Sequence, residues 1–315
     1  MDETPVEYCR PPLAVLAVRG VDARRFLQGQ LSADVLGLPP GELRWAGLHN
    51  PQGRALATLQ LLADDYDLVA LLPPERLVAV LPLLRRYLLR AKARVEDESD
   101  RWRVLGAFAP AVDVARRLMA AGDSGRTLIA AADAGGERCL VLQAAAETPA
   151  DACAATDPAP ALVRWQRADI AAGLPQVYDA TAGRFVAQML NLDLIGGIAF
   201  DKGCYTGQEV IARAHYRGRV KRRMQRFGSR ATRTTDWPPG AQGQLPDGRR
   251  FEVVDSIDLD GGGCEWLAVT TFGETADATA DSETAVSTAG AAGVRLRADA
   301  VALPLPYALP DAAAA

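Results

Sequence analysis

Residues 13–72 consist of strand-like apolar runs separated by short turns, and this pattern requires a fold that contains an antiparallel meander. The first run, LAVLAV, gives way after Gly20 to a helix-like segment for which Asp22 is the predicted N-cap. Two further runs lie on either side of a turn at residues 50–53, and another run follows at residues 66–72. A meander combined with helices is typical of the α+β class.

A long helix is predicted at residues 75–92, where apolar side chains repeat on one face and Arg and Lys occupy the last turn, with a kink at Pro82. Residues 143–161 are rich in Ala, Pro and Asp, which predicts a linker and a boundary between subdomains. Beyond Phe227, spaced strand-like runs with Gly-rich or polar loops predict a small all-β domain, a barrel.

The chain has five cysteines without a CxxC pair, and only two histidines, His49 and His215. These residues argue against a disulfide framework and against a zinc site built by the protein alone. The N-terminal MDETPVEYCRPP lacks the patterns of signal and transit peptides, and no apolar run reaches the about twenty residues of a membrane span. A cytoplasmic protein without membrane contact is expected.

The formal net charge of −4 conceals a strongly basic segment. Residues 210–235, here called the basic strip, contain no Asp or Glu and carry a charge of +9, which leaves −13 for the rest of the chain. The cations of the basic strip are Arg213, Arg217, Arg219, Lys221, Arg222, Arg223, Arg226, Arg230 and Arg233. They form either a docking surface for a polyanion, such as RNA or the carboxylate tail of a ligand, or a solvated strand face.

A capping box is predicted in the stretch FDKGCYTGQEV at residues 200–210. Thr206 and Glu209 have the spacing at which each side chain bonds the backbone amide of the other, so a helix is predicted to begin at Gly207. Cys204 would then lie just ahead of a helix N-terminus.

Four roles are open for Cys204: nucleophile, metal ligand, redox thiol, or small residue that fills a turn. Lys202, the helix N-terminus and the basic strip favour the thiolate, and Gly203 leaves the backbone free to approach a ligand. A nucleophile activated by histidine is disfavoured, because His215 would lie about three turns along the same helix and His49 stands beside a turn. A single cysteine can supply only one ligand to a cluster shared with a partner.

The motif KGCYTGQE, between AGLPQVYDATAGRFVAQMLNLDLIGGIAF and VIARAHYRGRVKRR, resembles the signature of the YgfZ family of folate-binding proteins, relatives of the glycine-cleavage aminomethyltransferase. The segments VRGVDARRFLQGQLSADV, HNPQGRALA and PLPY extend the resemblance over most of the chain. It implies an aminomethyltransferase-like fold with two α+β subdomains around a central hole. Residues 1–225 would form this folate-binding region, with the second subdomain inserted at roughly 50–150, and 226–311 would form the β-barrel.

The resemblance also implies a function: binding of tetrahydrofolate and support for the assembly or repair of iron-sulfur clusters, and thereby indirectly for the methylthiolation of tRNA. Cluster carriers or client enzymes would be transient partners, and direct contact with tRNA is left open. Two alternatives from other classes are a folate-dependent one-carbon transferase and an RNA-binding module that uses the basic strip.

Cys204 is, by resemblance, the functional thiol, and no metal site is expected beyond a shared cluster. The candidate folate-binding residues are Trp165, Tyr178, Gln188, Lys202, Gly203, Tyr205, Gln208, Glu209, Arg217, Arg219 and Arg223. Trp165 matches a position where members of the family stack folate, but its counterpart near the first strand is Leu13, and a core role for Trp165 is equally open. The three arginines are predicted to alternate along a strand and to contact the ligand tail.

Two positions depart from the aminomethyltransferases, which carry an Asp-Asp pair shortly after an Asn-x-x-Gly turn. Here the corresponding residues are Ala57 and Thr58, and neither has a carboxylate. The acid-base assistance that aminomethyl transfer requires is therefore missing, and a complete enzyme is not expected.

Overall fold

The computed structural model describes residues 6–63, 68–120, 127–132, 135–145, 158–218, 220–272 and 299–310. These residues form three antiparallel sheets, five α-helices and one 3₁₀-helix, which confirms the predicted α+β class. The strands are β1 (Tyr8–Cys9), β2 (Ala14–Arg19), β3 (Leu43–His49), β4 (Ala55–Ala63), β5 (Leu68–Leu72), β6 (Arg94–Asp97), β7 (Trp102–Ala107), β8 (Thr127–Ala131), β9 (Cys139–Ala144), β10 (Arg222–Ser229), β11 (Gln242–Gln244), β12 (Arg250–Asp258), β13 (Cys264–Thr271) and β14 (Val301–Leu303). The helices are α1 (Ala23–Gln28), α2 (Pro74–Tyr87), α3 (Ala111–Ala120), α4 (Pro158–Ala171), the 3₁₀-helix (Ala187–Leu190) and α5 (Gln208–Tyr216).

The first sheet has the strand order β3-β4-β5-β2-β6 and contains the predicted meander. Successive residues of β2 point to opposite faces: Leu16 packs in the core that α1 and α2 cover, whereas Val15 packs against the second sheet. Both faces are therefore buried, which explains why these strands read as nearly continuous apolar runs. Helix α2 includes Pro82, as predicted, and presents Leu77, Val80 and Leu84 to the sheet.

The second sheet, β1-β7-β9-β8, lies between two apolar layers. Trp102 and Leu140 face the first sheet, and Leu105 and Val141 face α3. The alternation of neighbouring residues along β7 and β9 supplies both layers.

The third sheet has the order β11-β12-β13-β10-β14. One face buries an aromatic cluster that includes Trp237 and Trp266, with ring centroids 6.0 Å apart. The other face packs Met224 and Leu267 against the segment that carries the 3₁₀-helix and α5. The predicted closed barrel is not found among the described strands, because β11 and β14 are edge strands of an open sheet.

Several predictions fall on other parts of the chain. Most of the predicted linker and the low-complexity loop lie at residues 146–157 and 273–298, outside the described residues. The predicted domain limits stay a prediction. In the part of the chain that the structure describes, no helix has both the length and the apolar character needed to cross a membrane.

Candidate functional site

The motif KGCYTGQE packs against the turn that joins β3 and β4. Gly207 is the N-cap of α5 and has φ 83°, in the left-handed region. A Cβ atom at this position would lie 2.5 Å from the carbonyl oxygen of Asn50 and 3.0 Å from the Cα of Gly53. Both the backbone angle and the close approach therefore require glycine.

The predicted capping box is wrong. Helix α5 begins at Gln208, one residue later than predicted, and its N-cap Gly207 has no side chain to form a cap hydrogen bond. The contact with the turn fixes Gly207 in a conformation that Thr206 and Glu209 do not cap.

Cys204 is an exposed free cysteine on the loop that precedes α5. The neighbouring Gly203 is exposed as well, and a Cβ atom there would meet no described atom within 4 Å. The described structure thus gives no steric reason for glycine at this position, and the space beside the thiol is open to another molecule.

Lys202 anchors this loop to the segment that follows α1. Its Nζ donates hydrogen bonds to the carbonyl oxygens of Leu31 and Ala33, each at 2.7 Å, and lies 5.1 Å from the centroid of the Tyr205 ring. Burial lowers the pKa of Lys202 to about 8, and the nearby carboxylate of Asp34 opposes this shift. Lys202 therefore holds the Cys204 loop in place, and a direct contact with folate stays a prediction.

Three buried polar side chains, His49, Gln188 and Tyr205, form what is here called the polar junction, where the turn between β3 and β4, the 3₁₀-helix and α5 meet. The rings of His49 and Tyr205 are 6.5 Å apart, and burial raises the pKa of Tyr205 to about 12. Neither ring nitrogen of His49 has a hydrogen-bond partner in the described structure. Burial lowers the pKa of His49 to about 4, so the ring is neutral at neutral pH; the backbone of Gly47 opposes this shift without forming a hydrogen bond of normal geometry.

Gln188 supplies the second unpaired group of the polar junction. The residue is 1% exposed, and its Nε2 donates to the carbonyl oxygen of Ile211 at 2.7 Å. Its Oε1 has no hydrogen-bond partner among the described residues. Leaving a buried acceptor unpaired costs about 1–3 kcal/mol, and such a group in a folded protein is a candidate ligand contact.

Arg223 does not offer its guanidinium to a ligand tail, contrary to the prediction. It is 5% exposed and forms a two-pronged ion pair with Asp193, at 2.8 and 2.7 Å. Its Nη1 also donates to the carbonyl oxygen of Gln188 at 3.0 Å. Arg223 therefore supports the 3₁₀-helix that carries Gln188, because a buried guanidinium needs a carboxylate partner.

The predicted strand of alternating arginines is likewise wrong. Arg217 is exposed at the C-cap of α5, and β10 begins only at Arg222. Arg219 lies outside the described residues. Gln208, whose Nε2 donates to the carbonyl oxygen of Lys202 at 3.4 Å, is half-buried, and Glu209 is exposed.

Tyr178 donates a hydrogen bond from its hydroxyl to Oδ2 of Asp255 at 3.2 Å. Burial is the main cause that raises the pKa of Asp255 to about 7, and burial also raises the pKa of Tyr178. Sequence analysis did not single out Asp255, although an aspartate in the apolar strand FEVVDSI is a signal of a buried polar contact.

Trp165 is a core residue in this structure, with 3% of its surface exposed. Its ring lies 2.6 Å from the position that a Cβ atom of Gly106 would occupy, Phe108 packs edge-on against it at 5.8 Å, and the guanidinium of Arg138 lies 4.6 Å from its centroid. Leu13 belongs to the same cluster. The folate-stacking role of Trp165 stays a prediction.

Ala57 and Thr58 are both fully buried. The hydroxyl of Thr58 accepts a hydrogen bond from the backbone amide of Val177 at 3.1 Å, so it supports the segment that leads to Tyr178. In the described part of the chain, no three His, Cys, Asp or Glu side chains come together to hold a metal ion.

No protein-family model matches the chain, but curated proteins do. It is 28% identical over 315 residues to the tRNA-modifying protein YgfZ of Serratia proteamaculans (strain 568), with 95% of this chain and 91% of the relative covered. The protein of the same name from Klebsiella pneumoniae (strain 342) is 29% identical over 263 residues, 79% of this chain and 80% of the relative. That of Vibrio atlanticus (strain LGP32) is 30% identical over 218 residues, 67% and 66%.

Among solved structures, the chain is similar to the glycine cleavage system aminomethyltransferase T from Bartonella henselae. The TM-score is 0.62 at 16% sequence identity, over 84% of this chain and 78% of that one. This likeness confirms the predicted aminomethyltransferase-like fold. Sequence and fold together show that the chain belongs to the YgfZ family.

Proposed function

We propose that this protein binds tetrahydrofolate and assists the assembly or repair of iron-sulfur clusters in other enzymes, and thereby supports tRNA modification. The observation that carries the proposal is the polar junction, where buried groups of Gln188 and His49 lack partners. The link to tRNA modification rests on the printed name of the relatives, tRNA-modifying protein.

The polar junction has the chemistry that a pterin ring needs. The amino-pyrimidinone edge of a pterin presents N–H donors, and Oε1 of Gln188 is a buried acceptor without a partner. The neutral imidazole of His49 offers one donor and one acceptor, and Phe185, Leu192 and Ile211 supply apolar surface nearby. When bound, tetrahydrofolate would supply a reduced ring that carries one-carbon units.

Cys204 would act at the surface rather than inside the folate pocket. Its thiol is exposed, while the next residue, Tyr205, is buried and belongs to the polar junction. One cysteine cannot hold a cluster, so a partner protein would supply the remaining ligands or the second thiol of an exchange. The buried Ala57 and Thr58 offer no carboxylate near the turn, so the proposal does not extend to aminomethyl transfer.

The test replaces Cys204 with alanine and measures two properties separately. Affinity for tetrahydrofolate and the free energy of unfolding should stay close to those of the wild type, because the thiol is exposed and touches neither Gln188 nor His49. The activity of iron-sulfur enzymes in cells that depend on this protein should fall. Full cellular function of Cys204→Ala would refute the role of the thiol, and absence of tetrahydrofolate binding by the wild type would refute the role of the junction.

A further inference from the structure

Three aromatic rings form an exposed shelf beside the Cys204 loop. Phe200 stacks on His215, with centroids 3.7 Å apart and an interplanar angle of 16°. Tyr216 packs edge-on against both rings, 6.1 Å from Phe200 and 4.7 Å from His215. Tyr216 nevertheless remains 67% exposed. These contacts hold a large aromatic ring in a fixed orientation towards solvent, as a stacking platform requires.

The structure divides the basic strip into buried and exposed cations. Arg223 and Arg226 are tied to Asp193 and Glu265 in ion pairs of low exposure. The exposed cations are Arg213, Arg217 and Lys221, and none of them forms an ion pair with another described residue. Only the second group is available to a polyanion.

The exposed cations lie close to the aromatic shelf in the chain. Arg213 and Tyr216 are three residues apart on α5, a spacing that places two side chains on the same helical face. Arg217 follows Tyr216 directly at the C-cap, and Lys221 precedes β10. Tyr216 with these three cations is called the α5 outer face below.

We infer that the α5 outer face binds single-stranded RNA, with a base stacked on Tyr216 and phosphates on the arginines. Aromatic rings between arginines are the combination by which proteins hold unpaired nucleotides. This goes beyond the proposed function, which requires no direct contact with RNA.

A protein partner fits this face less well. Among the large apolar residues of α5, only Val210 and Tyr216 are exposed, at 39% and 67%, whereas a stable protein interface needs a broader apolar centre. The exposed acids Asp201 and Glu209 lie towards the start of α5. They leave the cationic end near Arg217 as the side on which phosphates would bind.

The experiment measures the binding of a short fluorescently labelled single-stranded RNA by anisotropy at a series of salt concentrations. Tyr216→Ala should weaken binding about fivefold or more, and Tyr216→Phe should retain it, because the ring and not the hydroxyl stacks. The double variant Arg213→Gln/Arg217→Gln should reduce the slope of log K against log salt by about 1.4, since each phosphate contact on a single strand contributes about 0.7.

Matched controls come from α2, where Tyr87 is 42% exposed and Arg86 and Arg90 are exposed too. Tyr87→Ala and Arg86→Gln/Arg90→Gln should leave RNA affinity unchanged. Equal losses in these controls, no effect of Tyr216→Ala, or displacement of the RNA by polyglutamate or by duplex RNA as readily as by unlabelled single strand would overturn the inference. None of these results bears on folate binding, so the two proposals can fail independently.

Discussion

Gln188 donates from Nε2 to the carbonyl oxygen of Ile211 at 2.7 Å, and this contact fixes which end of its amide is left without a partner. A carbonyl oxygen only accepts, so the amide cannot turn round without losing the bond. Ile211 lies in α5, and the exposed Cys204 lies on the loop just before that helix. The unpaired oxygen and the thiol are thus connected through one helix and its leading loop.

The ion pair of Arg223 with Asp193 predicts a large stability effect at a residue that the sequence assigned to ligand binding. Arg223→Met would leave the carboxylate of Asp193 buried and unpaired, and should lower the free energy of unfolding by about 3–5 kcal/mol. Arg217→Met, at the exposed C-cap, should change it by about 0.5 kcal/mol at most. Urea unfolding of the two variants provides the comparison, and similar losses in both would contradict the assignment.

His49 predicts a pH dependence of stability. Its pKa is about 4 in the folded chain and about 6.5 when unfolded. Between these values the unfolded chain binds more protons, so stability is lost as the pH falls. From pH 7 to pH 5, the wild type should lose about 2 kcal/mol more than His49→Leu, which lacks this titration. Urea unfolding at both pH values measures the difference, and parallel losses would show that the imidazole is not buried in its neutral form.

The exposure of Cys204 predicts one fast thiol. Cys9, Cys139 and Cys264 are buried, and Cys153 lies outside the described residues, so Cys153→Ser serves as the background. In that background Ellman's reagent should titrate one thiol rapidly in the native protein, and Cys204→Ser should remove this phase. If every thiol waited for unfolding, the loop would be closed over Cys204.

Local patterns sufficed for much of the fold. The turn at residues 50–53 and the apolar face of α2 depend on neighbouring residues, and both predictions are confirmed. The short strands β6 and β8 were missed, because pairing with distant strands creates them. Barrel closure was predicted from strand spacing, which does not determine how the edge strands of a sheet are placed.

The candidate site was harder to predict because its chemistry depends on burial. A run of arginines does not reveal that Arg223 meets Asp193, thirty residues earlier in the chain. The one available signal was the lone carboxylate in the apolar segment LNLDLIGG, which needs a buried partner. Gly207 was read as part of a capping box because its contact with Asn50 is formed only in the folded chain.

The central claim is that Gln188 contacts tetrahydrofolate, and calorimetric titration of the purified protein tests it most directly. Gln188→Met removes the unpaired oxygen at similar volume, and Gln143→Met is the control, since Gln143 is equally buried at 1% exposure but lies in the second sheet. We predict that the wild type and Gln143→Met bind tetrahydrofolate with similar affinity. Gln188→Met should bind about five- to a hundredfold more weakly, the loss expected for one buried hydrogen bond. Unchanged affinity in folded Gln188→Met would contradict the claim.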